Sequence, residues 1–207
     1  MIKKTLAISL FIILSFAITA QTFEGKIKYK AEKLMPSGNI IRIVDIFVKA
    51  NKSRMEMSIN DTKLSSYSLT VGAETYHVPE FENTIKKEKK RGLDKRRLKK
   101  LKKKCYILGY SCTQYKEKRN TPYGQEIVIY EVADSLKVDS LNNFGRIING
   151  KIVLRNTLIT ENDTYIEEAI ELKETPLPDS LFILPDYPII EVNFEKLSKK
   201  YIKEAGY

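Results

Sequence analysis

The chain has 207 residues and a formal charge of +10, but the charge is local: residues 86–104 (KKEKKRGLDKRRLKKLKKK) carry 13 Lys and Arg against Glu88 and Asp94, and all other residues together sum to −1. One histidine and two cysteines are too few ligands for a typical zinc centre. No Gly-rich phosphate loop, dinucleotide fingerprint or Gly-x-Ser-x-Gly elbow is present, so the sequence offers no seat for a cofactor and singles out no catalytic residue.

The first twenty residues have the three parts of a secretory signal peptide. These are the basic pair Lys3 and Lys4, an uncharged run of 15 residues from Leu6 to Ala20, and a small-residue exit at residues 17–20. The run is shorter than the roughly 20 residues a helix needs to span a bilayer. Cleavage is expected after Ala20, leaving Gln21 at the mature N-terminus with no nearby thiol for a lipid anchor. The expected location is periplasmic or secreted, and residues 21–207 are expected to form a single domain.

Residues 23–30 alternate strictly, with Phe23, Gly25, Ile27 and Tyr29 on one face and Glu24, Lys26, Lys28 and Lys30 on the other, which predicts a half-buried strand. A turn at residues 35–38 leads into 40–48, β-branched and apolar on both faces apart from Arg42 and Asp45, as in a central strand. Residues 53–59 alternate through Met55, Met57 and Ile59; 63–71 and 74–78 follow, separated by Gly72. These lengths fit an antiparallel meander.

The basic block then interrupts the β pattern as an insertion, helical or disordered, with a helical hint over 93–104 from Leu98 and Leu101. Strands are expected again at 106–115, 126–133, 151–159 and 165–173. The last of these sets Ile166, Ile170 and Leu172 against Glu167, Glu171 and Lys173. Turn signals lie at 121–124, Asn149-Gly150 and 161–163. Beyond Pro176, Pro178, Pro185 and Pro188, an amphipathic helix is expected over 194–204, with Asn193 as N-cap and Gly206 past its end. The fold class is therefore α+β, mainly β.

Four segments carry a resemblance. Phe23-Glu-Gly-Lys-Ile-Lys-Tyr29, Ser53-Arg-Met-Glu-Met57, Ile107-Leu-Gly-Tyr-Ser-Cys112, and Phe182-Ile-Leu-Pro185 followed by Tyr187 resemble a family of small secreted Bacteroidetes proteins that is itself uncharacterised. That family is similar in turn to the periplasmic lipoprotein carriers of the Lol system. The resemblance implies a curved antiparallel sheet, a half-barrel whose concave face receives a lipid or lipoprotein ligand, with the C-terminal helix as part of its cover. It brings no catalytic residue. The basic insertion and Cys105 both depart from the family pattern.

The chemistry-bearing residues are few. His77 has too many possible Ser and Asp partners in the sequence for a choice, and it reads as a strand-end histidine. Cys105 and Cys112 would lie about 23 Å apart on one straight strand, far beyond the roughly 7 Å limit for bridged Cα atoms. A disulfide therefore requires a bend near Gly109, or Cys105 on the preceding segment folded back, and the sequence leaves bridge and free thiols open. Three Asp-Ser-Leu triplets, beginning at Asp134, Asp139 and Asp179, resemble an O-glycosylation sequon and would have to be exposed to be modified.

Lys86, Lys87, Lys89, Lys90, Arg91, Lys95, Arg96, Arg97, Lys99, Lys100, Lys102, Lys103 and Lys104 are the candidate contact to an anionic surface, a membrane or lipopolysaccharide. No aromatic residue interrupts them for base stacking, and an export signal removes nucleic acid as a partner. The expected function is non-enzymatic binding of a hydrophobic ligand. The alternative is a ligand-free interaction or structural module of the envelope.

Overall fold

The computed structural model describes residues 22–33, 40–88, 98–121, 124–139, 146–161 and 163–192. The signal peptide, the turn at 35–38, basic residues 89–97 and the helix expected over 194–204 lie outside them. The described strands are β1 (Gly25–Lys33), β2 (Ile40–Lys49), β3 (Lys52–Ile59), β4 (Thr62–Val71), β5 (Glu74–Val78), β6 (Ile85–Glu88), β7 (Lys99–Ile107), β8 (Tyr110–Thr121), β9 (Gly124–Lys137), β10 (Ile147–Ile148), β11 (Lys151–Ile159), β12 (Thr164–Glu174) and β13 (Ile189–Val192). Helical structure among the described residues is confined to one 3-10 turn, Asp179–Phe182.

All the strands join one sheet in the order β13-β6-β5-β4-β3-β2-β1-β12-β11-β9-β8-β7, with β10 paired to β11. Every pairing is antiparallel except β13 with β6. The sheet has two edges, β13 and β7, and is not closed. Ten strand spacings separate β6 from β7, roughly 48 Å in a flat sheet. The chain from Glu88 to Lys99 reaches about 38 Å at most, so the sheet has to curve.

The curvature is visible in the packing. Ile27 and Tyr29 of β1 and Val44, Ile46 and Val48 of β2 share one buried cluster with Ile107, Cys112 and Ala133 from the far side of the strand order. Residues on the opposite face of β2–β4, among them Phe47 and Leu69, are covered by Leu177 and Phe182 of the segment after β12. This is why residues 40–48 are apolar on both faces. Hairpins close on pairs with positive φ, Asn60-Asp61 (46° and 64°), Leu108-Gly109 (50° and 82°) and Asn149-Gly150 (52° and 68°), of which all but Leu108 are residue types that adopt it readily. At Gly25 the strands approach too closely for any side chain, since a Cβ there would lie 2.0 Å from the Lys173 carbonyl oxygen.

Three expectations need correction. Residues 99–104 are not helical: they form the first part of edge strand β7, where an alternation that half-buries Leu101 and exposes its lysines suits a solvent-facing edge. Residues 106–115 are not one strand, because the chain reverses at Leu108-Gly109. On β12 the faces are exchanged over the first half: Glu167 is 4% exposed, while Ile166 and Ile170 are 45% and 46% exposed. A β-bulge opposite Lys28 and Tyr29 shifts the phase, so Ala169 and Leu172 pack inward but Ile170 does not.

Candidate functional site: a cavity on β3–β6

On the face of the sheet that carries the main core, the core does not fill the end built from β3 to β6. A cavity of about 310 Å³ lies there. Met55 and Met57 of β3 and Leu64 of β4 supply an apolar lining, and Met55 and Met57 also touch the core. Ser66, Ser68, His77 and Lys86 add polar groups.

Strand register decides which of these groups meet. Ser68 faces His77 across the β4–β5 hairpin, and His77 faces Lys86 across β5–β6. Ser68 Oγ lies 2.8 Å from His77 Nδ1, and Glu88 Oε2 lies 3.8 Å from His77 Nε2. Burial lowers the histidine's pKa below its ordinary value, opposed by the Glu88 charge, so the neutral imidazole is favoured. The sequence did not select Ser68, although Ser68 and His77 are equidistant from the Gly72-Ala73 turn. Glu88 stands beyond hydrogen-bond length and Ser68 is only 7% exposed. The geometry is that of a cross-strand polar pair.

A buried charge cluster adjoins the cavity. Arg146 approaches the sulfur of Met55 at 3.6 Å and donates to Glu167, which also accepts from Arg42. Tyr165 accepts a short hydrogen bond from Arg42, and the Arg146 guanidinium sits 5.2 Å from the Tyr29 ring centre. Tyr29 donates to the Val153 carbonyl at 2.8 Å, and burial raises its phenol pKa. Among the described residues, no three His, Cys, Asp or Glu side chains gather as a metal site.

Among the described residues, the basic block falls on two strands. Lys86 and Lys87 lie on β6 and pair with Glu82 and Glu74 at 2.7 and 2.6 Å. Lys99, Lys100, Lys102, Lys103 and Lys104 are exposed on β7, at the other end of the sheet. Lys89, Lys90, Arg91, Lys95, Arg96 and Arg97 lie outside the described residues. Exposed Tyr106 and Leu108 extend the β7 surface to its hairpin tip.

Cys105 and Cys112 carry free thiols and are direct partners across the β7–β8 hairpin. Of the Asp-Ser-Leu triplets, Asp134 is held in β9 by Thr113 and Ser111, and Asp179 pairs with Lys49 at 3.2 Å. Asp139 is exposed, with the rest of its triplet outside the described residues.

No family model and no curated protein matches this chain. Solved structures share its fold. PNGF-II aligns over 88% of this chain and 34% of its own, at 18% identity and a TM-score of 0.53. An uncharacterized conserved protein from Thermus thermophilus aligns over 89% and 99%, at 11% identity and a TM-score of 0.50. A LolA superfamily protein from Nitrosomonas europaea aligns over 79% and 91%, at 11% identity and a TM-score of 0.42. The chain spans about a third of PNGF-II, and its likeness to PNGF-II and to the Thermus protein is one of fold alone.

Proposed function

We propose that this is an exported, non-enzymatic protein that binds a lipid or other hydrophobic ligand on the inner face of its curved sheet. The observation that carries the reading is the cavity of about 310 Å³ floored by Met55, Met57 and Leu64, left open where the core stops. Such a lining suits acyl chains, because methionine adapts to irregular apolar partners. The exposed lysines of β7 are proposed to rest on an anionic membrane surface, where each contributes roughly 1 kcal/mol. Export rests on the signal-peptide pattern of residues 1–20.

The second reading, a ligand-free interaction module, is favoured by the residues that fill the inner face between β1–β2 and β8–β9. Native mass spectrometry of the protein purified from its envelope fraction, followed by organic extraction, separates the two. Stoichiometric acyl material supports the carrier. A ligand-free mass at every salt concentration overturns it in favour of the module.

A further inference from the structure

We propose that Cys105 and Cys112 are oxidised to a cross-strand disulfide that fastens the basic edge strand β7 to the sheet. The hairpin that joins β7 to β8 turns through only two residues, Leu108 and Gly109, so positions equidistant from the turn face each other. Counting outward, Ile107 and Tyr110 are the first hydrogen-bonded pair, and Cys105 and Cys112 the second. Cα atoms in such a pair stand about 5.5 Å apart, inside the roughly 4.4–6.8 Å span of bridged cysteines. Cβ atoms in a hydrogen-bonded pair stand about 5.5 Å apart against about 3.8 Å in a disulfide, so closing the bond draws the two side chains together by roughly 1–2 Å without a change of register.

The exposures suit a stepwise exchange. Cys105 is half-buried and reachable, whereas Cys112 is fully buried in the main core. The Cys105 thiolate attacks a sulfur of a protein or small-molecule disulfide, forming a mixed disulfide and releasing the oxidant's other sulfur as a thiolate that takes up the proton. Cys112 then gives up its proton and attacks the Cys105 sulfur, displacing the oxidant's remaining sulfur as a second thiol. The protein loses two hydrogens and two electrons pass to the oxidant, which ends as two thiols.

A fastening at this place answers a specific weakness. Strand β7 has a neighbour on one side only, and its Lys99 lies directly opposite Lys116 of β8. Like charges facing each other across a ladder are destabilising. The pairing is irregular between Lys100 and Lys104, so few regular contacts offset that repulsion. The cysteines sit just beyond the irregular stretch, where one covalent link holds the lysine-bearing half to the core. The pair is a fastening and not a redox catalyst, because burial and the carboxylate of Glu131 raise both thiol pKa values, that of Cys112 to about 12. The inference is independent of any ligand in the β3–β6 cavity.

The test treats the purified full chain with oxidised glutathione, then denatures it in N-ethylmaleimide and weighs it intact. The wild type is expected to take no adduct and to weigh two hydrogens less than its reduced form, which takes two adducts. The Cys112→Ala variant is expected to hold a single glutathione on Cys105, showing that the outer thiol is reachable and the inner one resolves it. Two N-ethylmaleimide adducts or a retained glutathione on the oxidised wild type would overturn the proposal. Amide exchange across residues 99–104 is expected to slow several-fold on oxidation; unchanged exchange would overturn the fastening role while leaving the bond.

Discussion

The Glu167 carboxylate accepts two hydrogen bonds from a single Arg146 nitrogen, Nη2, at 2.7 and 2.8 Å. Arg42 approaches the same carboxylate at 3.1 Å, so one buried anion holds two guanidinium groups at the inner face.

Removing that anion leaves Arg146, whose side chain is 12% exposed, without its counter-charge, while Arg42 at 35% keeps some water. Glu167→Ala is expected to cost about 3 kcal/mol in urea unfolding, the range for breaking one side of a buried pair. Ile166→Ser, on the exposed side of the same strand, is expected to stay within about 0.5 kcal/mol. Equal costs for the two substitutions would sink the assignment of faces on β12.

His77 sets a pH dependence whose sign follows from its environment. Burial lowers its folded pKa below the ordinary 6.5, so the unfolded chain takes up a proton first as pH falls. Its contribution to stability is present above pH 6.5 and is lost as pH drops from there through the lowered folded value. Thermal melts are expected to show a steeper acid decline for the wild type than for His77→Gln, which keeps a hydrogen-bonding group beside Ser68. Parallel curves would mean that His77 has the same pKa in both states.

The first half of the sheet was readable because β1 and β3 alternate, β2 is a dense β-branched run, and the turns carry Gly or Asn. The later failures have local causes. A bulge at β12 changed phase after Ala169, and no residue type announces a bulge. Strand β13 draws its partner from β6, far away in sequence, and its Ile189-Ile190 pair was hidden among prolines. Residues 99–104 read as helical or disordered because the spacing of Leu98 and Leu101 hints at a helix and a run of lysines says nothing about sheet edges. His77 with Ser68, and Cys105 with Cys112, were recoverable in principle: each pair is symmetric about a two-residue turn near a glycine already marked, Gly72 or Gly109, and the missing step was to count outward from it.

The non-enzymatic reading makes its own prediction at the Ser68–His77 pair. A serine activated for acyl transfer reacts with fluorophosphonate reagents, and its contact with a histidine base would resemble the 2.8 Å contact here. Ser68 is expected to stay unreactive because it is only 7% exposed and Glu88, 3.8 Å from His77 Nε2, is too far to orient the ring. Incubation of the wild type with such a reagent is expected to leave its mass unchanged. Labelling that disappears in Ser68→Ala and in His77→Gln would replace the carrier reading with a hydrolase.

The ligand and membrane proposals separate by where substitutions act. Met57→Glu places a carboxylate in the apolar lining and is expected to abolish co-purifying acyl material, while Phe81→Ser, at a side chain 92% exposed, leaves it intact. Replacing Lys99, Lys100, Lys102, Lys103 and Lys104 with Gln is expected to leave the ligand content unchanged but to weaken binding to vesicles containing anionic lipid. It should also flatten the dependence of that binding on salt, since screening over about 10 Å at 0.1 M acts on these contacts and not on the cavity. The five substitutions remove the repulsion between Lys99 and Lys116 but also the 3.4 Å pair of Lys104 with Asp134, so a thermal melt of the variant is run beside the vesicle assay to separate lost binding from lost fold. Vesicle binding that survives all five replacements would move the docking role away from β7.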